Sequence, residues 1–206
     1  MSGAASGRAS GVRHLYVHLP FCVHRCGYCD FVTAVGRLDE HGVYADAVLR
    51  ELDRERPFLA PRLATVFVGG GTPTFTEPAA LARMLTALPD ADEVKVEANP
   101  ETVTAELAAL LGDNGVTRVS LGAQSFRPHL LEVLERQATP EDVRSAVQTL
   151  HDASFDNVSL DLLYGIPGQS AADLDADLEE ALALAPDARA PRAGAVGTTA
   201  RRARRG

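Results

Sequence analysis

Five times along this chain a short β-branched, apolar run gives way to a stretch of helical periodicity, and that alternation restricts the fold more than any other feature. Residues 14–19, 64–68, 93–98, 116–121 and 157–163 read as strands. Helices are expected over 38–58, 78–88, 103–111, a short run carrying Leu130, Leu131, Val133 and Leu134, a segment capped by Thr139-Pro140-Glu141-Asp142, and 171–184. In 93–98 the alternation is strict, with Val94 and Val96 on one face and Lys95 and Glu97 on the other. Strands joined through helices lie parallel, with right-handed crossovers. The class is therefore α/β with parallel strands, either a partial (β/α) barrel or an open doubly wound sheet. No G-x-G-x-x-G follows the first strand, which weighs against a dinucleotide-binding Rossmann domain.

The first strand delivers Cys22-Val23-His24-Arg25-Cys26-Gly27-Tyr28-Cys29, which holds all three cysteines of the chain. Three thiols cannot all pair as disulfides, but as thiolates they can reach three corners of one iron–sulfur cluster. Such clusters usually take four cysteines, so one iron would be left open for chemistry. The competing reading is structural zinc with His24 as fourth ligand. Structural zinc sites bring two separated ligand pairs, and nothing downstream supplies the second. Inert core cysteines are disfavoured by the charge and glycine around them.

The polar signals follow the strands. Gly69-Gly70-Gly71-Thr72-Pro73-Thr74 leaves the second strand without the Lys-Ser/Thr of a P-loop, and its glycines would let the backbone approach a ligand. Glu97 closes the third strand, Gln124 the fourth, and Asp161 sits between Leu160 and Leu162 in the fifth. The C-terminal ends of parallel strands are where such folds bind ligands. Taken singly, the glycines can be a turn, Glu97 a capping charge, and Gln124 and Arg136 solvated groups. Asp161, in an apolar strand, must be paired or face a ligand.

The spacing C-x3-C-x2-C with an aromatic before the last cysteine resembles the radical S-adenosylmethionine (SAM) enzymes. Residues 16–22 (YVHLPFC), 69–74 (GGGTPT), 97–100 (EANP), 120–126 (SLGAQSF) and 161–168 (DLLYGIPG) resemble, as a set, the oxygen-independent coproporphyrinogen III oxidase group within that family. The resemblance implies an incomplete (β/α)6-type partial barrel. It implies a [4Fe–4S] cluster on Cys22, Cys26 and Cys29, whose electron cleaves SAM to a 5′-deoxyadenosyl radical. By the same resemblance Tyr16, Gly70 and Glu97 match positions holding the cluster-bound SAM. Tyr28, Gly71, Thr72, Gln124, Arg136 and Asp161 match positions holding a second SAM in the oxidases. No residue is assigned as catalytic. The oxidases carry a fourth cysteine two residues beyond the triplet, whereas here residue 31 is Phe, so that Cys29-Asp30-Phe31 resembles the heme-chaperone (HemW) branch. The implied function is delivery of heme, as cargo, to acceptor proteins, with an electron donor for the cluster. The alternative is oxidative decarboxylation of coproporphyrinogen in heme biosynthesis, so the chain's status as an enzyme is left open between the two.

Composition sets the remaining expectations. The 206 residues suit one core, and no apolar run is long enough to cross a bilayer. Residues 1–12 lack a secretory h-region and read as a disordered leader of a cytoplasmic protein, which the unpaired cysteines also suit. The radical SAM core is expected over 13–186. Six of the 20 basic residues follow Pro186 but only one of the 28 acids does, so residues 1–186 carry 14 basic groups against 27 acidic, a net of −13 that repels nucleic acid. Residues 187–206 hold no Leu, Ile or aromatic residue, and this Arg/Ala/Gly tail reads as the product of a frameshift or truncation that omits a sixth strand. The rival reading is a basic tail for anionic partners.

Overall fold

The computed structural model describes residues 11–184 and the backbone of residues 199–202. The other residues of the expected leader (1–12) and tail (187–206) lie outside the described residues. Val12, at the end of the expected leader, is paired: its amide donates to the Phe58 carbonyl at 2.9 Å and its carbonyl accepts from the Ala60 amide at 2.9 Å, a parallel bridge centred on Leu59.

Along the chain, β1 (His14–Leu19) leads to a two-residue ladder, β2 (Phe21–Cys22) with β3 (Ala34–Val35), and then to α1 (His41–Glu55). Next come β4 (Leu63–Gly70), α2 (Pro78–Thr86), β5 (Ala91–Ala98), α3 (Ala105–Asp113) and β6 (Arg118–Gln124). The shorter α4 (Pro128–Val133), α5 (Pro140–Asp152), β7 (Val158–Tyr164) and α6 (Ala171–Ala183) follow. The α5 cap expected from sequence is present: Thr139 Oγ1 accepts from the Asp142 amide, and Asp142 accepts from the Thr139 amide.

The main sheet is parallel throughout, in the order β1-β4-β5-β6-β7 with β8 (Thr199–Arg202) beyond β7. This is the expected α/β architecture of parallel strands. The omitted sixth strand is corrected, since the β8 backbone pairs with Asp161–Tyr164. Ladder formation at a sheet edge asks only for a row of free N–H and C=O groups, so low apolar content does not forbid it.

One face of the sheet packs on the helices. Val66, Val68, Val94, Val96, Val119, Leu121, Leu160 and Leu162 are buried against Leu81 and Met84 of α2, Leu111 of α3, and Val143, Val147 and Leu150 of α5. Each such side chain contributes about 1.5–3 kcal/mol by leaving water. The opposite row is polar: Lys95 Nζ lies 4.7 Å from the Phe67 ring centre, Arg118 pairs with Glu93, and Ser120 meets Ser159 at 2.9 Å. Polar residues therefore line the face of the sheet turned away from these helices.

His41, fully buried, ties that loop to α2. Its ring stacks on Phe21 at 4.0 Å, and its Nδ1 accepts from the Glu77 amide at 3.0 Å. Burial lowers its pKa below the ordinary 6.5, with the Gly36 carbonyl, Glu77 and Asp39 pulling back upward. A His pKa lower in the folded than in the unfolded state means that stability is complete above about pH 6.5 and is lost as pH falls toward the folded value. The melting temperature is expected to drop between pH 7 and 5. His41→Asn, which keeps an acceptor for the Glu77 amide and cannot titrate, should flatten that drop.

Candidate functional site

The cysteine loop is an excursion from the β2–β3 ladder. The Ala34 amide donates to the Pro20 carbonyl at 2.8 Å and the Gly36 amide to the Cys22 carbonyl at 3.1 Å, so residues 23–33 leave and return at one place. Within it, the Cys29 amide donates to the Cys26 carbonyl at 3.0 Å, and Arg25 Nη2 donates to the Cys29 carbonyl at 3.1 Å. Tyr28 packs on Leu130, Leu134, Leu163 and Ile166, anchoring the loop to α4 and the end of β7. That burial pushes its phenol well above the usual range.

All three cysteines are free, Cys22 buried and the others half-buried, and they border a cavity of about 410 Å³ at the C-terminal ends of the strands. Gly70, Gly71, Thr72, Glu97, Gln124, Arg136, Asp161 and Tyr28 border the same cavity, as do Asn99 and Ser120, which sequence reasoning did not single out. Tyr16 stands apart. It does not line the cavity, its hydroxyl meets His18 Nδ1 at 3.0 Å, and its ring packs on Phe67 with centres 5.4 Å apart.

Sulfur-directed donors mark the thiols. Thr72 Oγ1 donates to Cys22 Sγ at 3.5 Å and itself accepts from Asn99 Nδ2 at 3.3 Å, while Arg136 Nη1 reaches Cys26 Sγ at 3.6 Å. Burial pushes the Cys22 thiol up; Thr72 opposes this, Cys29 and Cys26 add to it, and Arg136 opposes it again. The Arg136 guanidinium, pulled down by burial but raised more by Tyr28 and Cys26, keeps its charge.

The glycine run is required by the protein's own chain. A Cβ on Gly71 would stand 2.6 Å from the Pro20 carbonyl oxygen, one on Gly70 2.6 Å from the His18 ring, and one on Gly69 2.8 Å from Glu97 Oε2. Gly70 has φ 120, and its amide donates to Glu97 Oε2 at 3.2 Å. At the end of β6 the register slips between Leu121 and Gln124, Gln124 adopts φ 66, and its amide lies over Gly122. Asp161 accepts from Ser120 Oγ at 3.1 Å, so the strand-embedded carboxylate is paired and also borders the cavity.

Among the described residues, no three His, Cys, Asp or Glu side chains converge closely enough to hold a single metal ion. His24 Nε2 is bonded to the Glu135 carbonyl at 2.8 Å. The bond to Glu135 weighs against His24 as a zinc ligand. A cluster puts each thiolate on a different iron, and three thiols spread around one cavity suit it.

The Radical SAM superfamily profile matches residues 16–181. The chain belongs to the radical SAM superfamily. It is 40% identical over 185 residues to the heme chaperone HemW of Mycobacterium tuberculosis, covering 84% of this chain and 47% of that protein. To HemW of Lactococcus lactis it is 35% identical over 175 residues, 82% of this chain and 45% of the other. The solved coproporphyrinogen III oxidase HemN of Escherichia coli, described as a radical SAM enzyme, superposes with a TM-score of 0.76 at 26% identity, over 86% of this chain and 43% of that one. The chain thus spans about half the length of the relatives it matches. The two HemW relatives are in keeping with the branch read from Phe31, and a fold shared with the oxidase accords with the parallel partial barrel.

Proposed function

We infer that this chain is the cluster- and SAM-holding part of a HemW-type heme chaperone. The observation carrying this reading is the meeting of three free thiols, the Gly70–Thr72 turn, Glu97, Asn99 and Arg136 around one cavity. Cys22, Cys26 and Cys29 would hold a [4Fe–4S] cluster, which when bound supplies one-electron chemistry and an iron open to SAM. Glu97 and the Gly70–Gly71 backbone would orient the SAM that sits there, with Tyr16 beyond the cavity's rim. Tyr28, Thr72, Gln124, Arg136 and Asp161 border the remaining volume, where a second SAM is the resemblance's assignment.

Heme is the cargo and heme-acceptor proteins are the partners, with a one-electron donor serving the cluster in a cytoplasmic setting. Nucleic acid is no partner of a body this acidic. No described helix is long and apolar enough to cross a membrane. Phe31, which borders the cavity and is 50% exposed, supports the chaperone reading over the oxidase one. The superposition on HemN keeps decarboxylation as the second reading. Anaerobically reconstituted protein is expected to bind heme stoichiometrically and to leave coproporphyrinogen unchanged. Decarboxylation without heme uptake would reverse the order of the two readings.

A further inference from the structure

We propose that Arg136 is a positioning residue that sets the reduction potential of the cluster by donating a charged hydrogen bond to one of its ligating sulfurs, Cys26. This rests on the cluster-binding reading above.

A guanidinium carries five N–H donors. Arg136 Nη1 donates to Cys26 Sγ at 3.6 Å and to Asn99 Oδ1 at 3.2 Å; Nη2 donates to Asn99 Oδ1 at 3.3 Å and to the Gly122 carbonyl at 2.8 Å. Of the five, only the buried Nε–H has no partner among the described residues. Four donors engaged by protein atoms make Arg136 a fixed part of the cavity wall.

The turn that carries it is clamped to the cysteine loop from the other side. Glu135, with φ 54, offers its carbonyl to His24 Nε2 at 2.8 Å, and its carboxylate lies 2.9 Å from where a Cβ on Gly27 would stand. On one side of Cys26, His24 is bonded to Glu135, and on the other Gly27 lies against its carboxylate, while the sulfur between them faces Arg136. The distance from cation to sulfur is set by the two backbone segments together with the Asn99 and Gly122 acceptors that fix the guanidinium.

Reduction adds negative charge to a cluster and its sulfurs. A permanent cation and an N–H aimed at a ligating sulfur stabilise the reduced form more than the oxidised one, and hydrogen bonds to sulfur are among the levers that set cluster potentials. Arg136 therefore makes the cluster easier to reduce.

The test is EPR-monitored potentiometry on anaerobically reconstituted protein, with iron and sulfide counted first. Arg136→Met is expected to shift the one-electron reduction equilibrium about tenfold toward the oxidised form, which is 59 mV, at unchanged iron and sulfide content. Asn99→Ala, which leaves the charge and the Gly122 bond but removes the Asn99 acceptor from the guanidinium, should shift it the same way by less, about threefold. If Arg136→Met loses the cluster, the Asn99→Ala midpoint decides. Unchanged midpoints overturn the proposal, including the case in which iron retention falls but the remaining clusters keep the parent potential, as a merely structural role would give. A parent protein that holds no iron and sulfide overturns the cluster reading itself, and the metal count tells that failure apart.

Discussion

Cys26→Ser protein, reconstituted anaerobically beside the parent, is expected to retain almost no iron and sulfide against about four of each per parent chain, and to lack the brown charge-transfer absorbance. Cys26 is the middle member of the triplet and the one whose sulfur faces Arg136. A serine hydroxyl stays protonated near neutrality and is a poor ligand for iron. With Cys22 buried on β2 and Cys29 at the end of the turn, the two remaining thiols are too few to grip a cube. The control is His24→Ala. If three thiolates hold a cluster, losing a histidine whose ring is occupied by the Glu135 carbonyl leaves iron in place, at some cost in loop order. If instead the site is zinc with His24 as fourth ligand, both variants lose metal, and the metal lost is zinc.

The strand–helix alternation was legible because every long element buries one face against the other layer, and that burial writes a period into the sequence. β1 was placed at its observed bounds, His14–Leu19, while the helix read over 38–58 proved to be α1 flanked by short 3-10 turns at Leu38–Glu40 and Arg56–Phe58. What carries no period was missed. The β2–β3 ladder is two residues long on each side, too short for alternation to show.

Asp177 on α6 reads as one more acid on an acidic helix. It is fully buried, accepting from Ser125 Oγ and the Phe126 amide at 2.7 Å each, and so pins the loop that follows Gln124. Asn99 and Ser120 are polar residues on or just past strands, where solvation is the ordinary expectation. Only the side-by-side placement of β5, β6 and β7 shows them facing Arg136 and Asp161. For the glycine run the right residues were found for a different reason, since sequence shows that space is needed but not whose atoms take it. The edge strand Thr199–Arg202 was missed because a ladder draws on backbone groups, which composition does not report.

Gly71→Ala is the substitution expected to cost most in stability while leaving every thiol in place. A Cβ there would meet three backbone atoms: the Pro20 carbonyl oxygen at 2.6 Å, its carbon at 2.7 Å and the Phe21 carbonyl oxygen at 2.7 Å. No rotamer change relieves a clash with backbone, so one of two chain segments must move. The Gly71 amide donates to the Leu19 carbonyl and the Thr72 amide to the Phe21 carbonyl, both at 2.8 Å, so moving either segment gives up hydrogen bonds that seat Cys22 beside Thr72. The cost should be about 3 kcal/mol, the upper end for overpacking. For a domain of this size that lowers the melting temperature by roughly 6–12 °C. The same movement shifts Cys22 relative to Cys26, which Glu135 and Arg136 hold from the opposite side, so iron retention should fall even at temperatures where the chain stays folded. Gly36→Ala gives the comparison, because that position has φ 72 and open space around it. It should lose about 1 kcal/mol from backbone strain alone and keep its iron. Equal iron loss in both variants would mean that general destabilisation, rather than the close approach of Gly71 to Pro20 and Phe21, governs the cysteine loop.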